Sequence, residues 1–366
     1  IKFEVDVMNE ISKMMYNDIR KELEVVWQNA RPYVGPKCRA CRECNGINCR
    51  RIGAERSTTG ARNYEKFQQI KIVYDTLYDG GDGSEIDSSV ELFGHKFRAP
   101  VFSAPFGNVK SFQANTHFDS DYAINKCFVD GLANQDCAAW TPDTVNHPGL
   151  NVYEGPLKAI AERRGMGIPT IKAWGREEIQ HKIRLADNAG AIAIGHDIDC
   201  VGLGYLSVNG GYHAYPKTSE QIKEIFSITN TPYVLKGIMT AKGAVKALKA
   251  GAYGIVVSNH AGNTMDQSLA TIEVLPEIVR AVGGQMKIFI DGGISSGEEV
   301  FKAIAMGADA VLIGRPYLIA AEGGETRGVE LYTQKIIWQL QNAMRMSGCR
   351  TLKDITRDHI VITKDF

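Results

Sequence analysis

No apolar run in this 366-residue chain approaches the ~20 residues that a membrane-spanning helix requires, so a membrane role is not expected. Excess charge of either sign is also missing, because Lys+Arg and Asp+Glu both number 42. A chain without a basic surplus has no electrostatic footprint for a nucleic-acid backbone. The first residues are charged and lack a secretory pattern, which makes the cytoplasm the expected compartment. The strand-like runs lack polar alternation. A Gly-x-Gly-x-x-Gly turn is absent after the first of them, which leads instead into Gly107-Asn108-Val109. That argues against a doubly wound open sheet with a dinucleotide site.

What is present is a rhythm. Short apolar runs occupy Pro100–Phe106, Cys137–Trp140, Ile168–Trp174, Ala191–Asp197, Tyr233–Ile238, Gly254–His260, Lys287–Gly293 and Ala310–Pro316. Helix-patterned stretches separate most of them, among them Arg176–Ala189, Ser219–Ile228, Ala241–Ala250, Thr271–Val282 and Gly297–Met306. Uniformly apolar strands alternating with helices imply a parallel sheet covered on its outer side. Eight such units predict a closed (β/α)₈ barrel, with the open sheet as the alternative. An amphipathic pattern over residues 5–30 predicts an N-terminal helix, followed by a Cys-rich segment and polar sequence through Gly60. Val329–Met346 predicts a C-terminal helix beyond the eighth unit. The expected organisation is an N-terminal helix and Cys-rich segment (residues 1–90) packed on a barrel (91–320), then a C-terminal helix and tail (321–366), all in one structural domain.

A barrel places its chemistry at the C-terminal ends of its strands. Five successive ends here are polar: His196-Asp197-Ile198-Asp199, Lys236-Gly237, Ser258-Asn259-His260, Asp291-Gly292-Gly293 and Gly314-Arg315. Their convergence predicts one pocket. The glycines after strands seven and eight, with the fixed charge of Arg315, predict a phosphate-bearing ligand. His260 is the candidate general base, although a strand-end histidine is as often structural. Asp197 could orient it, and Lys236 could stabilise negative charge on an electron-accepting ring.

Leu235-Lys236-Gly237-Ile238, Val256-Val257-Ser258-Asn259-His260, Asp291-Gly292-Gly293, and Gly307-Ala308-Asp309-Ala310 running to Ile313-Gly314-Arg315-Pro316 resemble the FMN-dependent α-hydroxy acid oxidase and dehydrogenase family, which includes glycolate oxidase and lactate oxidase. The resemblance is close over residues 185–320 and traceable back to about residue 52, where Gly53-Ala54 and Asn63 fit. It implies an FMN oxidoreductase acting on a small 2-hydroxy acid or related alcohol. His260 would take a proton, Asp197 would pair with the imidazole, and flavin N5 would be the hydride acceptor. Lys236 would lie beside flavin N1 and O2. Asp291, Gly292, Gly293, Gly314 and Arg315 would hold the phosphate. Ala104, Pro105 and Phe106 would line the flavin, and Ser258 would help hold the ribityl chain. The family is often oligomeric, which implies a homo-oligomer.

Departures from the family pattern fall on the substrate side. Asn263 stands where the resemblance implies an arginine that grips the substrate carboxylate, and Gly204 stands at a second arginine position. An asparagine cannot make the two-pronged charged contact of a guanidinium. Either the substrate lacks an α-carboxylate, or another cation, with Lys172 the candidate, replaces the arginines. Lys172 also belongs to the expected flavin surround. Trp174 stands roughly where the family carries a tyrosine over the substrate, and Ser295 replaces a basic residue after Asp-Gly-Gly. The alternatives to hydroxy-acid oxidation are an FMN enzyme acting on an amine, another alcohol, a double bond or an isomerisation, or a non-catalytic flavin- or metal-binding subunit.

Cysteine is unevenly used. Four of the eight, Cys38, Cys41, Cys44 and Cys49, fall within twelve residues. That is dense for a cytosolic disulfide framework and suits one metal centre: an iron–sulfur cluster first, zinc as the alternative, with free redox thiols also open. Some family members from anaerobic bacteria carry a similar motif, and the well-known oxidases do not. A redox centre near the barrel mouth would pass electrons to a partner protein and favour a dehydrogenase over an oxidase. Cys127, Cys137, Cys200 and Cys349 are scattered in apolar surroundings and are expected to be core residues.

Overall fold

The structure is a computed structural model that describes residues 2–33, 57–78, 85–107, 116–143, 152–203 and 214–363, with side chains from Tyr16 onward. The cysteine segment 38–49 lies outside the described residues, as do Gly204 and the loop around it.

Eight parallel strands close into a barrel: β4 (Val101–Ser103), β5 (Ala138–Thr141), β6 (Ile168–Lys172), β7 (Ile194–Asp197), β8 (Tyr233–Lys236), β9 (Gly254–Val257), β10 (Lys287–Ile290) and β11 (Ala310–Ile313). β11 pairs with β4 to complete the ring. Each strand falls on one of the eight runs read from the sequence, with β5 reaching one residue beyond its run, to Thr141. The barrel interior is packed rather than hollow. Phe102, Trp140, Ile168, Val234, Val256, Phe289 and Leu312 form one buried cluster. Phe289 stands among Phe102 and Trp140, with ring centroids 5.9 Å apart in each case. Each fully buried phenylalanine contributes about 1.5–3 kcal/mol relative to exposure. A hairpin of β2 (Val90–Leu92) and β3 (His95–Phe97) plugs the N-terminal end of the barrel, stacking Phe93 on Phe289.

Helices cover the outer side. Among the described residues they are α1 (Lys2–Ala30), α2 (Thr58–Gln69), α3 (Asp121–Ala133), α4 (Glu154–Glu162), α5 (Arg176–Asn188), α6 (Ser219–Phe226), α7 (Ala241–Ala250), α8 (Thr271–Val282), α9 (Gly297–Ala305) and α10 (Arg315–Met346). The outer face of the strands and these helices share a second core that includes Ile171, Ile194, Leu235, Ile255, Val257 and Ile290. The two apolar faces explain why the strands show no polar alternation.

Two boundaries differ from the sequence reading. The terminal helix does not start at Val329: α10 starts at Arg315, directly after β11, and turns at Glu325, whose backbone (φ 48°, ψ −137°) is non-helical. Its first part is the helix of the eighth unit, and its second part receives α1, with Tyr16 stacked on Trp338 at 3.6 Å. The sequence near Gly60 is not merely polar loop, because α2 begins at Thr58 under a Ser57 cap. Its polar, glycine-bearing first turn masked the periodicity. A short strand, β1 (Ile70–Ile72), then pairs with β12 (Ile360–Ile362). The scattered cysteines Cys127, Cys137, Cys200 and Cys349 are buried free thiols, as expected of core residues.

Candidate active site

Side chains alternate along a strand, so a residue two positions beyond an interior residue also faces inward, one layer higher. That rule lifts Ala104, Lys172, Asp197, Lys236, Ser258, Asp291 and Gly314 to the C-terminal mouth, above Phe102, Thr170, Gly195, Val234, Val256, Phe289 and Leu312. These seven residues, all singled out from the sequence, thus form one layer of one barrel.

The layer is a chain of charge. Asp197 accepts from Lys172 Nζ at 3.2 Å through one carboxylate oxygen and from Lys236 Nζ at 3.2 Å through the other. Lys236 Nζ also lies 3.9 Å from Asp291, which accepts from the Ser258 hydroxyl at 2.9 Å. Lys172, Asp197 and Lys236 are buried. Burial alone disfavours charge on Asp197, but Lys236, His260 and Lys172 outweigh it and hold its pKa well below the usual carboxylate range. Burial likewise works against the Lys236 ammonium, and Asp197, Asp199 and Asp291 overcome it and raise its pKa. For Asp291 burial wins over Lys236, and its pKa is raised.

His260 follows β9 with its backbone in the left-handed region at φ 53°, as does Ala261. Such a conformation costs about 1–3 kcal/mol and needs support from its surroundings. Asn259 provides it, accepting from Ala261 N–H at 3.2 Å while its side chain exchanges two 2.9 Å hydrogen bonds with Asn63 of α2. The start of α2 is held in turn by Asp266, whose carboxylate accepts from the Thr58 and Thr59 backbone N–H groups at 3.1 and 2.9 Å. The His260 ring presents Nδ1 to both oxygens of Asp199 at 3.1 Å, to Lys236 Nζ at 3.4 Å and to Asp197 at 3.6 Å. Sequence reasoning passed over Asp199, Asp143 and Asp266. Only Asp199 left a signal, as the second acid of the polar end of strand four.

Two residues sit differently from expectation, Trp174 and Ser295. Trp174 does not open onto the mouth: it is 2% exposed, and its indole N–H donates to Asp143 at 2.6 Å. Asp143 also pairs with buried Lys182 at 2.7 Å, so the ring is anchored to the barrel's outer side. Ser295 is turned to Glu299, donating at 3.1 Å, away from the glycines it follows. The side-chain oxygen of Asn263 is buried with no described partner, an acceptor awaiting a donor.

Asp197, Asp199 and His260 bring potential metal ligands within 4.8 Å of one another. The Lys236 ammonium already lies against two of the three, which leaves a divalent cation poorly favoured there. An organic, hydroxyl-rich anion suits the mouth better. Among the described residues, one buried oxygen of Asp291 has no partner. Gly292 and Gly293 turn at φ 87° and 85° with Asn63 packed against them, and a Cβ on either would come within 2.7 Å of it. Gly314 precedes the first turn of α10, where backbone N–H groups favour phosphate.

Comparison with known proteins decides what that ligand is. The family described as FMN-dependent dehydrogenase matches residues 45–129 and 207–362. The chain belongs to the FMN-dependent dehydrogenase family. FMN, the cofactor in the family's description, agrees with the donors and acceptors of this mouth. A peroxisomal (S)-2-hydroxyacid oxidase of Arabidopsis thaliana is 32% identical, covering 84% of this chain and 89% of its own. Glycolate oxidase 5 of Oryza sativa subsp. japonica is 30% identical, over 86% and 90%. A crystal structure of mandelate oxidase with 3,3-difluoro-2-hydroxy-3-phenylpropionic acid superposes with a TM-score of 0.72 at 25% identity, covering 92% and 97%. A mandelate oxidase variant solved with a monooxide FMN adduct gives 0.68 at 28%, over 84% and 92%. The family match skips residues 130–206, the stretch that carries Asp143, Lys172, Trp174, Asp197 and Asp199.

Proposed function

We propose that this FMN-dependent oxidoreductase oxidises a small 2-hydroxy acid, or a related alcohol, to the corresponding carbonyl compound. The reading rests on one observation: an imidazole and a carboxylate–lysine chain share the mouth of a barrel whose relatives are named for 2-hydroxy acids. Asp291, Gly292, Gly293, Gly314 and Arg315 would hold the phosphate end of FMN. Lys236 would lie at its ring, Ala104, Pro105 and Phe106 along its face, and Lys172 and Ser258 near its chain. FMN supplies the two-electron acceptor. His260 takes the proton that the substrate gives up, through Nε2, because Nδ1 is turned to Asp199. The doubly engaged Asp197 keeps Lys172 and Lys236 in place and, with Asp199 and Asp291, offsets their charge in a buried layer.

Electron delivery to a partner protein rather than to oxygen is the finer reading. Its support is the spacing of Cys38, Cys41, Cys44 and Cys49, which suits an iron–sulfur cluster, with zinc as the alternative. A second substrate reading is favoured by Asn263, whose side-chain oxygen has no described partner and accepts a hydrogen bond, whereas an arginine there would only donate. A substrate offering O–H or N–H at that end would satisfy it. The test is anaerobic mixing of the FMN-loaded protein with glycolate, lactate, mandelate and carboxylate-free alcohols and amines. Loss of the oxidised flavin absorbance with a hydroxy acid supports the main reading. Loss only with carboxylate-free compounds supports the second, and no loss with any compound refutes both.

A further inference from the structure

Asp199 sits in the turn of residues 198–202 after β7 and makes the shortest carboxylate contacts to His260, while Asp197 is occupied by two lysines. We propose that Asp199, not Asp197, is the positioning residue that fixes the tautomer of His260, and that it does so against Lys236. The proposal rests on the reading of His260 as a base.

The conflict lies at one atom. Nδ1 of His260 is 3.1 Å from each Asp199 oxygen and 3.4 Å from the Lys236 ammonium. A carboxylate only accepts and an ammonium only donates, so the two neighbours demand opposite states of that nitrogen. If Nδ1 carries the proton, it donates to Asp199, and Nε2 keeps the lone pair that can take a substrate proton. If Lys236 donates to Nδ1, the proton of the neutral ring moves to Nε2, and the ring faces the substrate as a donor. Lys236 has alternatives, because Asp197 at 3.2 Å and Asp291 at 3.9 Å accept from it. Asp197 cannot do the work of Asp199: it lies 3.6 Å from Nδ1, and its two oxygens already serve Lys236 and Lys172. Thus, among the described residues, the charged groups facing the ring are Asp199 from the turn, Asp197 from β7, Lys236 from β8 and, further off, Asp291 from β10. Asp199 alone among them is both within hydrogen-bond distance and an acceptor.

The chain has made room for this carboxylate. Gly237 follows Lys236 at φ 104°, and a Cβ there would stand 2.5 Å from Asp199 Cγ. Behind the turn, Cys200 is buried, and its sulfur accepts from Ala173 N–H at 3.3 Å, which fixes the turn to the end of β6. Asp199 lies in the stretch that the family match skips.

The test is nitrogen-15 NMR of histidine-labelled, FMN-loaded protein near neutral pH, with the His260 signals assigned by their loss in His260→Gln. Turnover is followed in parallel. In the wild type the neutral ring is expected to carry its proton on Nδ1. Asp199→Ala is expected to move it to Nε2 and to slow substrate-driven loss of flavin absorbance by about 10²–10⁴-fold, with KM changed much less. Asp199→Asn, which keeps the size but not the charge, is expected to populate the Nε2–H form and to lose at least about tenfold, and it serves if the alanine variant does not fold. Asp197→Asn is expected to retain the Nδ1–H form while weakening FMN binding. A wild-type ring protonated on Nε2, or a tautomer that changes in Asp197→Asn but not in the Asp199 variants, overturns the proposal. If the tautomers behave as expected but no compound reduces the flavin, the functional reading fails and the assignment of Asp199 stands.

Discussion

Replacing Lys236 by methionine keeps the length and volume of the side chain and removes its charge, which isolates the electrostatics of the mouth. At 3.2 Å and an effective dielectric of about 20, one Lys236–Asp197 contact amounts to roughly 5 kcal/mol of attraction before desolvation is subtracted. Deleting one partner of a buried pair costs about 3–5 kcal/mol, because the other charge stays behind unpaired. Lys172 still holds Asp197, so the lower end applies, and about 3 kcal/mol is expected. With an unfolding entropy of about 2.1 cal/mol/K per residue, that is a fall in Tm of about 4 °C. The loss also has a pH signature. In the wild type Asp197 is held well below the ordinary carboxylate pKa, and in Lys236→Met it is released upward. The variant can then bind a proton in the ordinary carboxylate range, where the wild type does not, so the stability gap is full near pH 7 and shrinks as pH falls through about 4 toward about 3. The measurement is urea unfolding of the flavin-stripped protein at both pH values, which keeps ligand binding out of the comparison. A gap below about 1 kcal/mol, or one that does not change with pH, would refute the buried-pair account.

His260→Ala is expected to bind FMN normally and to leave the oxidised flavin absorbance intact when substrate is added; bleaching at the wild-type rate removes His260 from its role. Asp266→Ala takes away the acceptor of two N–H groups at the start of α2 and is expected to cost about 1 kcal/mol in chemical denaturation. The pKa of Asp266 is lowered, first by its bond from Thr59 N–H, so this contribution is complete above the unfolded carboxylate value of about 4 and fades as pH falls further. A variant as stable as the wild type at neutral pH would show that the cap carries no weight. Metal analysis of anaerobically purified protein is expected to find iron and acid-labile sulfide; zinc instead selects the alternative, and neither metal refutes a metal centre at Cys38, Cys41, Cys44 and Cys49.

The barrel was legible because each strand is apolar on both faces, one turned to Phe289 and its neighbours and the other to the helices. That leaves eight uninterrupted runs in the chain. The mouth was legible for a related reason: a polar residue at the end of such a run, in phase with the interior, has nowhere to point but the opening. Lys172, Asp197, Lys236, Ser258 and Asp291 obey this. Trp174 did not, because beyond the strand the alternation lapses, and a 2.6 Å bond to Asp143 across 31 residues of sequence decides its direction. Asp266 was hidden for the same reason. Its partners are 207 and 208 residues away, and neither propensity nor spacing encodes such a contact.

The two halves of the mouth have different physical constraints. A phosphate-bearing cofactor needs backbone in fixed conformations, and Gly292, Gly293 and Gly314 are positions where side chains would intrude or alter the turn. These positions lie inside the family match. The substrate side is built from side chains instead, and side chains can trade places while the charge balance holds. Two lysines share Asp197, a second carboxylate takes the imidazole, and an amide stands three residues beyond the base. These contacts depend on one another. With Lys172 and Lys236 both on Asp197, the ring nitrogen would pass to Lys236 unless another acceptor were supplied, and Asp199 is that acceptor. On the proposed assignment, Asp199 aims the base while Asp197 holds the two lysines.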